Sequence, residues 1–383
     1  MELAIRNFKS IADAEIRIGD LTVLSGLNGA GKSSVLQALL ALRQSYKSGE
    51  LAKGILSLSG ELVDLGSAAA VLHEGAEEDY ISIAFIAGPG ASPIAFCFNV
   101  DSSGSATSSI GGEETNFAIT QMLEHSSLRA LLTGRLSDGD TKCAFQYLNA
   151  ERNGPRKYLP MSGSRGLDLG SRGEFVLQAL FEHQDNIVLS TDDARLMGDH
   201  GERLRDQVEA WLADVSPGVR LDLTPVSEAD LIVGGYSFGS EHSLRTRAFR
   251  ATNVGFGLSY VLPVLVALLA TPAGGLVLIE NPEAHLHPRG QTKIGELCAR
   301  AAAAGVIVLV ETHSDHLMDG VRIAVREGLL HADKTVFHYF SRSGARTEIV
   351  SPTLDRSGKL SFWPENFFDQ HRRNAARLLK PSG

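Results

Sequence analysis

Residues 21–44 read LTVLSGLNGAGKSSVLQALLALRQ, and this stretch decides the architecture. LTVLS, residues 21–25, has the composition of a short buried strand. Residues 26–33 then spell G-x-x-x-x-G-K-S, and VLQALLALRQ repeats its apolar residues at helical spacing. Strand, glycine loop and helix in that order make a phosphate cradle, the Walker A pattern. Its glycines let successive N–H groups turn toward an anion at the positive end of the helix. The backbone of Asn28, Gly29, Gly31 and Ser34, with the Lys32 ammonium, is expected to hold the phosphates of ATP. The Ser33 hydroxyl is expected to ligate Mg2+.

Around this unit the chain alternates strand-like and helix-like runs. Upstream, residues 3–8 and 14–18 are short strands; downstream, residues 80–87 and 93–100 are two more, separated by GPGAS. Residues 102–114, SSGSATSSIGGEE, read as a polar loop and a boundary. A helix is expected over 203–214. The resulting division is an N-terminal part of the core over 1–115, an inserted lobe over 116–225 and a C-terminal part over 226–383. No internal repeat and no sustained heptad is present, which excludes a long coiled-coil arm.

Composition narrows the class. Hydrophobic residues make up 43% of the 383 positions and charged residues 21%, an ordinary globular balance with ample core material. A net charge of −9 gives no global attraction to nucleic acid, although one basic face remains compatible with it. The three cysteines, Cys97, Cys143 and Cys298, have no paired spacing, which fits a reducing compartment and excludes a disulfide framework. Cys298 lies in ELCARAAAA and reads as a small buried side chain. MELAIRNFKS lacks the apolar run of a signal peptide, and the longest apolar stretch, residues 258–270, is too short to span a bilayer. A cytoplasmic protein without membrane contact is expected.

Two further strand ends carry acids. Residues 275–280, GLVLIE, end in Glu280 and continue as NPEAHLHPRGQ; residues 305–310, GVIVLV, continue as ETHSDH. A buried strand delivering a carboxylate to a magnesium shell is the Walker B arrangement. With the opening IRNFKSIADAEI and the segment NVGFGLSYVLPVL (253–265), these motifs resemble ABC-type ATPases of the RecF, SMC and OLD kind. WPENFFDQ (363–370) resembles the W-P-x-x-F-F-D box of a bacterial subgroup of AAA-family ATPases. The resemblance covers residues 1–90 and 230–370.

That resemblance implies an α/β P-loop NTPase, an ABC-type ATPase head with a mixed β-sheet and an inserted α/β lobe. It places Glu280 on the magnesium side and His313 as the switch histidine near the γ-phosphate. It makes Asn253, Gly255, Gly257 and Ser259 a signature that caps nucleotide held by a second protomer, hence a homodimer. The chain departs from the family at one point: E-N-P-E stands where D-E-P-E is usual. Asn281 takes the position of the water-activating Glu, and an amide cannot accept a proton as a carboxylate does. Glu283 substitutes, or Glu280 serves both roles; slow hydrolysis, or an ATP-held latch, follows.

Several residues carry more than one reading. Glu283, His285 and His287 with Glu311, His313, Asp315 and His316 offer transition-metal ligands, but no H-E-x-x-H occurs. About 70 residues follow His313, too few for the nuclease domain of OLD proteins. AERNGPRK (150–157), flanked by Tyr147 and Tyr158, suits either phosphate and base contact or a solvated loop. Trp363, Phe367 and Phe368 suit core packing or docking. Two outputs stay open. One is a switch on a protein effector from a neighbouring gene, in the setting of antiphage defence. The other is a DNA-binding ATPase clamp of maintenance or repair.

Overall fold

The computed structural model describes residues 1–88, 90–101, 104–109, 111–140, 142–163, 166–239, 245–364 and 378. The chain opens with the strands β1 (Glu2–Phe8), β2 (Ile11–Arg17) and β3 (Leu21–Gly26), and the glycine loop leads into helix α1 (Lys32–Lys47). A single turn, α2 (Ala68–Val71), precedes β4 (Tyr80–Ile86), β5 (Ile94–Val100) and β6 (Ala106–Ser108), then helices α3 (Gly111–Glu124) and α4 (Ser126–Thr133). The middle of the chain supplies β7 (Phe145–Leu148), β8 (Leu159–Pro160), α5 (Val176–His183), α6 (Leu204–Val215), β9 (Val219–Val226), β10 (Leu231–Phe238) and β11 (Phe249–Arg250). The last third alternates: α7 (Phe256–Ala270), β12 (Leu276–Glu280), α8 (Pro288–Ala303), β13 (Ile307–Thr312), α9 (Asp315–Arg326), β14 (Thr335–Ser343) and β15 (Arg346–Val350).

These strands make three sheets, and the central one runs β15-β14-β3-β13-β12-β7. It is mixed: β14, β3, β13, β12 and β7 pair in parallel, and β15 closes the edge antiparallel to β14. Its inner strands β3, β13 and β12 are buried on both faces, so their side chains alternate between two cores. Val277 and Ile279 of β12 face the core built by α6, α7, α8 and α9, with Val308 and Val310 beside them. Leu276, Leu278 and Leu309 face the opposite core, shared with α1, α3, α4 and the antiparallel sheet β2-β1-β4-β5-β6. The architecture is a mixed α/β P-loop fold, as the motifs implied.

The polar stretch 102–114 departs from its reading as a loop. Residues 106–108 pair with the end of β5, and α3 begins at Gly111 with Glu113 and Glu114 in its first turn. Acids in a first turn favour the helix dipole, so residues that look loop-like by composition are also good helix starters. The apolar run 258–270 is the buried body of α7, and Cys298 is fully buried on α8. Among the described residues, no helix is long and apolar enough to cross a membrane.

Candidate functional site

The parallel strands place their C-terminal ends together, and a cleft of about 580 Å³ opens there. It is lined by Lys9, Asn28, Gly29, Gly31, Lys32, Ser33 and Ser34 on the loop side, and by Glu280, Asn281, Glu311 and His313 facing them. Ligand clefts at the carboxyl ends of parallel strands are the general rule for open α/β sheets. The loop shape depends on its glycines. Gly26 and Gly31 have φ of 142° and 99°, where L side chains are strained. A Cβ on Gly26 would also meet the Phe340 carbonyl, and one on Gly31 the Thr347 and Ser10 hydroxyls.

Helix α1 starts directly behind the loop with no side-chain cap and no acid in its first turn. The Ser34 N–H donates to the Gly31 carbonyl at 3.2 Å, and among the described residues no side chain competes with an anion for the other first-turn N–H groups. The Lys32 ammonium donates to the carbonyls of Gly26 (3.1 Å) and Leu27 (2.9 Å). The hairpin β14–β15 holds the loop from the other side. Thr347 donates to the Ala30 carbonyl at 2.9 Å, and Arg342 reaches the Gly29 carbonyl at 3.4 Å.

Three carboxylates stand behind the loop in different circumstances. Glu280 and Glu311 are direct register partners on β12 and β13. Glu311, 5% exposed, accepts from the Ser33 hydroxyl at 3.0 Å and lies 3.9 Å from the Lys32 ammonium. Burial and the neighbouring Glu280 push its carboxyl up to about 7. Glu280 accepts from the Tyr147 hydroxyl at 2.8 Å, and burial raises its carboxyl above the usual range. Glu283 does not line the cleft; it is buried, and its Oε1 accepts the His313 N–H at 2.8 Å. Desolvation and the Lys32 charge lower the His313 imidazole, which keeps it neutral near pH 7.

The turn after β12 is built around Asn281 and a buried arginine. Asn281 has φ 46°, its N–H donates to the Glu311 carbonyl at 2.8 Å, and its Oδ1 is buried without a partner among the described residues. Arg152, 2% exposed, donates to the carbonyls of Glu280 and Asn281, 2.6 Å each. It also reaches the carbonyls of Asn149 (3.0 Å) and Tyr260 (3.2 Å). Burial pulls its guanidinium down to about 10, so it remains charged at neutral pH. The phosphate or base contact considered for Arg152 is thus replaced by an internal clamp, while Arg156, Lys157 and Tyr158 are exposed.

Tyr147 and Arg152 are the site residues that sequence reading missed as such. Both lie some 130 residues from Glu280 and carry no motif of their own. Glu311 was visible only as one of several metal-ligand types; its place at the end of the second apolar strand was the available signal. The signature residues sit elsewhere. Asn253 and Gly255 are exposed at the start of α7, Gly257 packs on the His285 carbonyl, and Ser259 lines a small hollow with Tyr236 and Arg156. None of the four lines the cleft of its own chain. His285 stacks edge-on against Tyr260 at 4.4 Å, and His287 caps α8 by accepting from the Arg289 N–H.

Trp363 does not pack into the core; it is 43% exposed with Arg322 over its ring at 5.2 Å. Phe367 and Phe368 lie outside the described residues. The cleft residues suit a nucleotide with a hard divalent cation. They offer a hydroxyl, two carboxylates and an ammonium, and the Glu311 Oε2 is buried with no partner among the described residues.

Comparison with known families agrees with this geometry. A family described as "AAA domain, putative AbiEii toxin, Type IV TA system" matches residues 152–319, and one described as "AAA ATPase domain" matches residues 1–120. A "Protein of unknown function (DUF3696)" family matches residues 330–378. No curated protein matches the chain. Among solved structures, an SMC head bound to the C-terminal winged-helix domain of ScpA is similar at 14% identity and TM-score 0.48, over 93% of this chain and 98% of that one. The SMC head domain from Thermotoga maritima is similar at 11% identity and TM-score 0.40, over 91% and 97%. An SMC head derived from Pyrococcus furiosus, with an extended coiled coil, gives 14% identity and TM-score 0.42 over 99% of each chain. The chain carries a nucleotide-binding P-loop ATPase domain of the AAA type.

Proposed function

We propose that the protein binds MgATP in this cleft, hydrolyses it slowly and uses the bound state to join two heads. The uncapped α1 N-terminus beside Lys32, Ser33 and the register-paired carboxylates of Glu280 and Glu311 carries the reading. A divalent cation held by Ser33 and the neighbouring carboxylates would neutralise phosphate charge. Lys32 would exchange its two loop carbonyls for phosphate oxygens, and Ser33 would offer a lone pair to the cation. Asn281 can orient water but cannot accept its proton, which leaves Glu280, with Glu283 as the alternative, to do so.

The signature residues support closure in trans. Asn253 and Gly255 are exposed at the start of α7, beside Phe256, which is itself exposed, and they lie away from their own cleft. Measured by light scattering, a Glu280→Gln chain with ATP and magnesium should run as a dimer and the nucleotide-free chain as a monomer. A monomer under both conditions refutes closure. Turnover by the native chain that Lys32→Ala leaves intact would refute the ATP site itself.

Of the two outputs, a nucleic-acid clamp has the more specific support. β9 pairs with β10 along one edge, so β8 and β11 must share the other. That sharing brings the exposed Arg156 and Lys157, preceding β8, into line with the exposed Arg247 and Arg250 at β11. Duplex DNA should bind more tightly with ATP present and weaken steeply between 50 and 200 mM salt, as phosphate contacts do. Indifference to DNA, with co-purification of a neighbouring gene's product, would favour instead a switch on a protein effector in antiphage defence.

A further inference from the structure

We infer that Glu311, at the end of the strand between the P-loop strand and the Walker B strand, is the acid that faces the magnesium ion of the bound nucleotide, and that Glu280 stands outside it. This rests on the MgATP reading and assigns the acid within it. β13, not β12, is the neighbour of β3, and its end brings Glu311 to 3.0 Å from Ser33. In that bond the Ser33 hydroxyl spends its only proton on Glu311. Both oxygen lone pairs of Ser33 then remain available to a cation.

The two acids differ in what is left free on each. Glu280 has Oε1 occupied by the Tyr147 hydroxyl, and it also accepts a backbone hydrogen bond from Ala150. Both donors come from the middle of the chain, whereas the hydrogen bond to Glu311 comes from the P-loop serine itself. Glu311, in the wall of the cleft, keeps Oε2 buried and without a partner among the described residues. A buried carboxylate oxygen without a donor is unfavourable unless a cation or its water shell arrives. Lys32, at 3.9 Å, gives only partial compensation, since its ammonium is committed to two carbonyls. A divalent ion on Ser33 would satisfy Glu311 Oε2 directly or through one bound water, and would relieve the repulsion between the register-paired carboxylates.

The assignment divides the two roles between acids on different strands. Glu311 orders the Ser33 hydroxyl and the cation, and Glu280 is left to the water. The test titrates Mn2+ into full-length chain saturated with a non-hydrolysable ATP analogue, with free Mn2+ read by electron paramagnetic resonance. Glu311→Gln should weaken Mn2+ by about 10–100-fold, the loss seen when a partner that orders a metal site is removed. Glu311→Asp, which keeps the charge on a shorter arm, should lose less. Glu280→Gln should stay within about threefold of native in Mn2+ affinity. An equal or greater loss in Glu280→Gln, or native affinity in Glu311→Gln, overturns the assignment and leaves the MgATP reading standing. Absence of any nucleotide-dependent Mn2+ site in the native chain overturns both.

Discussion

Replacing Arg152 by alanine should stop turnover while sparing nucleotide binding. The guanidinium donates to four main-chain carbonyls, and the two shortest bonds, 2.6 Å each, hold Glu280 and Asn281. It is itself outside the cleft, so it touches no phosphate. Deleting it leaves those two carbonyls without their donor, at about 1–2 kcal/mol each after the guanidinium's own burial penalty is relieved. The expected loss is therefore about 2–4 kcal/mol, or roughly 2–5 °C in Tm for a chain of this length. The second consequence is geometric. Asn281 sits at φ 46°, an uncommon value for a non-glycine residue that its surroundings must enforce. Released, the turn relaxes, and Glu280 and Asn281 lose their aim at the water.

A displacement of about 1 Å at such a site lowers kcat by about 100-fold. Arg152→Lys, able to satisfy one or two carbonyls, should fall between native and alanine in both readouts. The assays are steady-state hydrolysis, binding of a fluorescent ATP analogue and thermal melting on the same preparations. Affinity within about threefold of native beside a collapsed kcat is the predicted split. Arg152→Ala with native kcat, or with weakened binding and unchanged kcat, would refute the clamp.

Two other outcomes follow from particular contacts. A Cβ on Gly295 would run into the Leu317 carbonyl where α8 crosses α9, so Gly295→Ala should destabilise by about 1–3 kcal/mol, whereas Gly139→Ala, with open space around it, should melt like native. Glu311 gives a pH signature in the nucleotide- and metal-free chain. Its carboxyl is raised from 4.5 to about 7 on folding, so its contribution to stability is complete below about pH 4.5 and fades as pH rises through about 7. The Tm difference between native and Glu311→Gln should accordingly shift against the native chain from pH 5.5 to pH 8; parallel curves would contradict the shift.

Local pattern alone determined the P-loop and the elements around it. LTVLS, the spaced glycines and the helix behind them are contiguous, and each needs only its neighbours to adopt its shape. The observed β3, Leu21–Gly26, and α1, Lys32–Lys47, fall where that pattern put them. The acid-ended strands were legible for the same reason, as short apolar runs closed by a charge. Burial of the chain between sheet layers decided the rest. Ser33 meets Glu311 across 278 residues, and Tyr147 meets Glu280 across 133, because β13 lies beside β3 and β7 beside β12. Strand order is a property of the whole sheet, so no local spacing announces it. Arg152 makes the point most directly. In sequence it sits in a basic, aromatic segment that suits a surface, yet folding carries it inside, where four carbonyls accept its N–H groups. The residue types were written in the chain, but the assignment of one carboxylate to the P-loop serine and another to a tyrosine came only from packing.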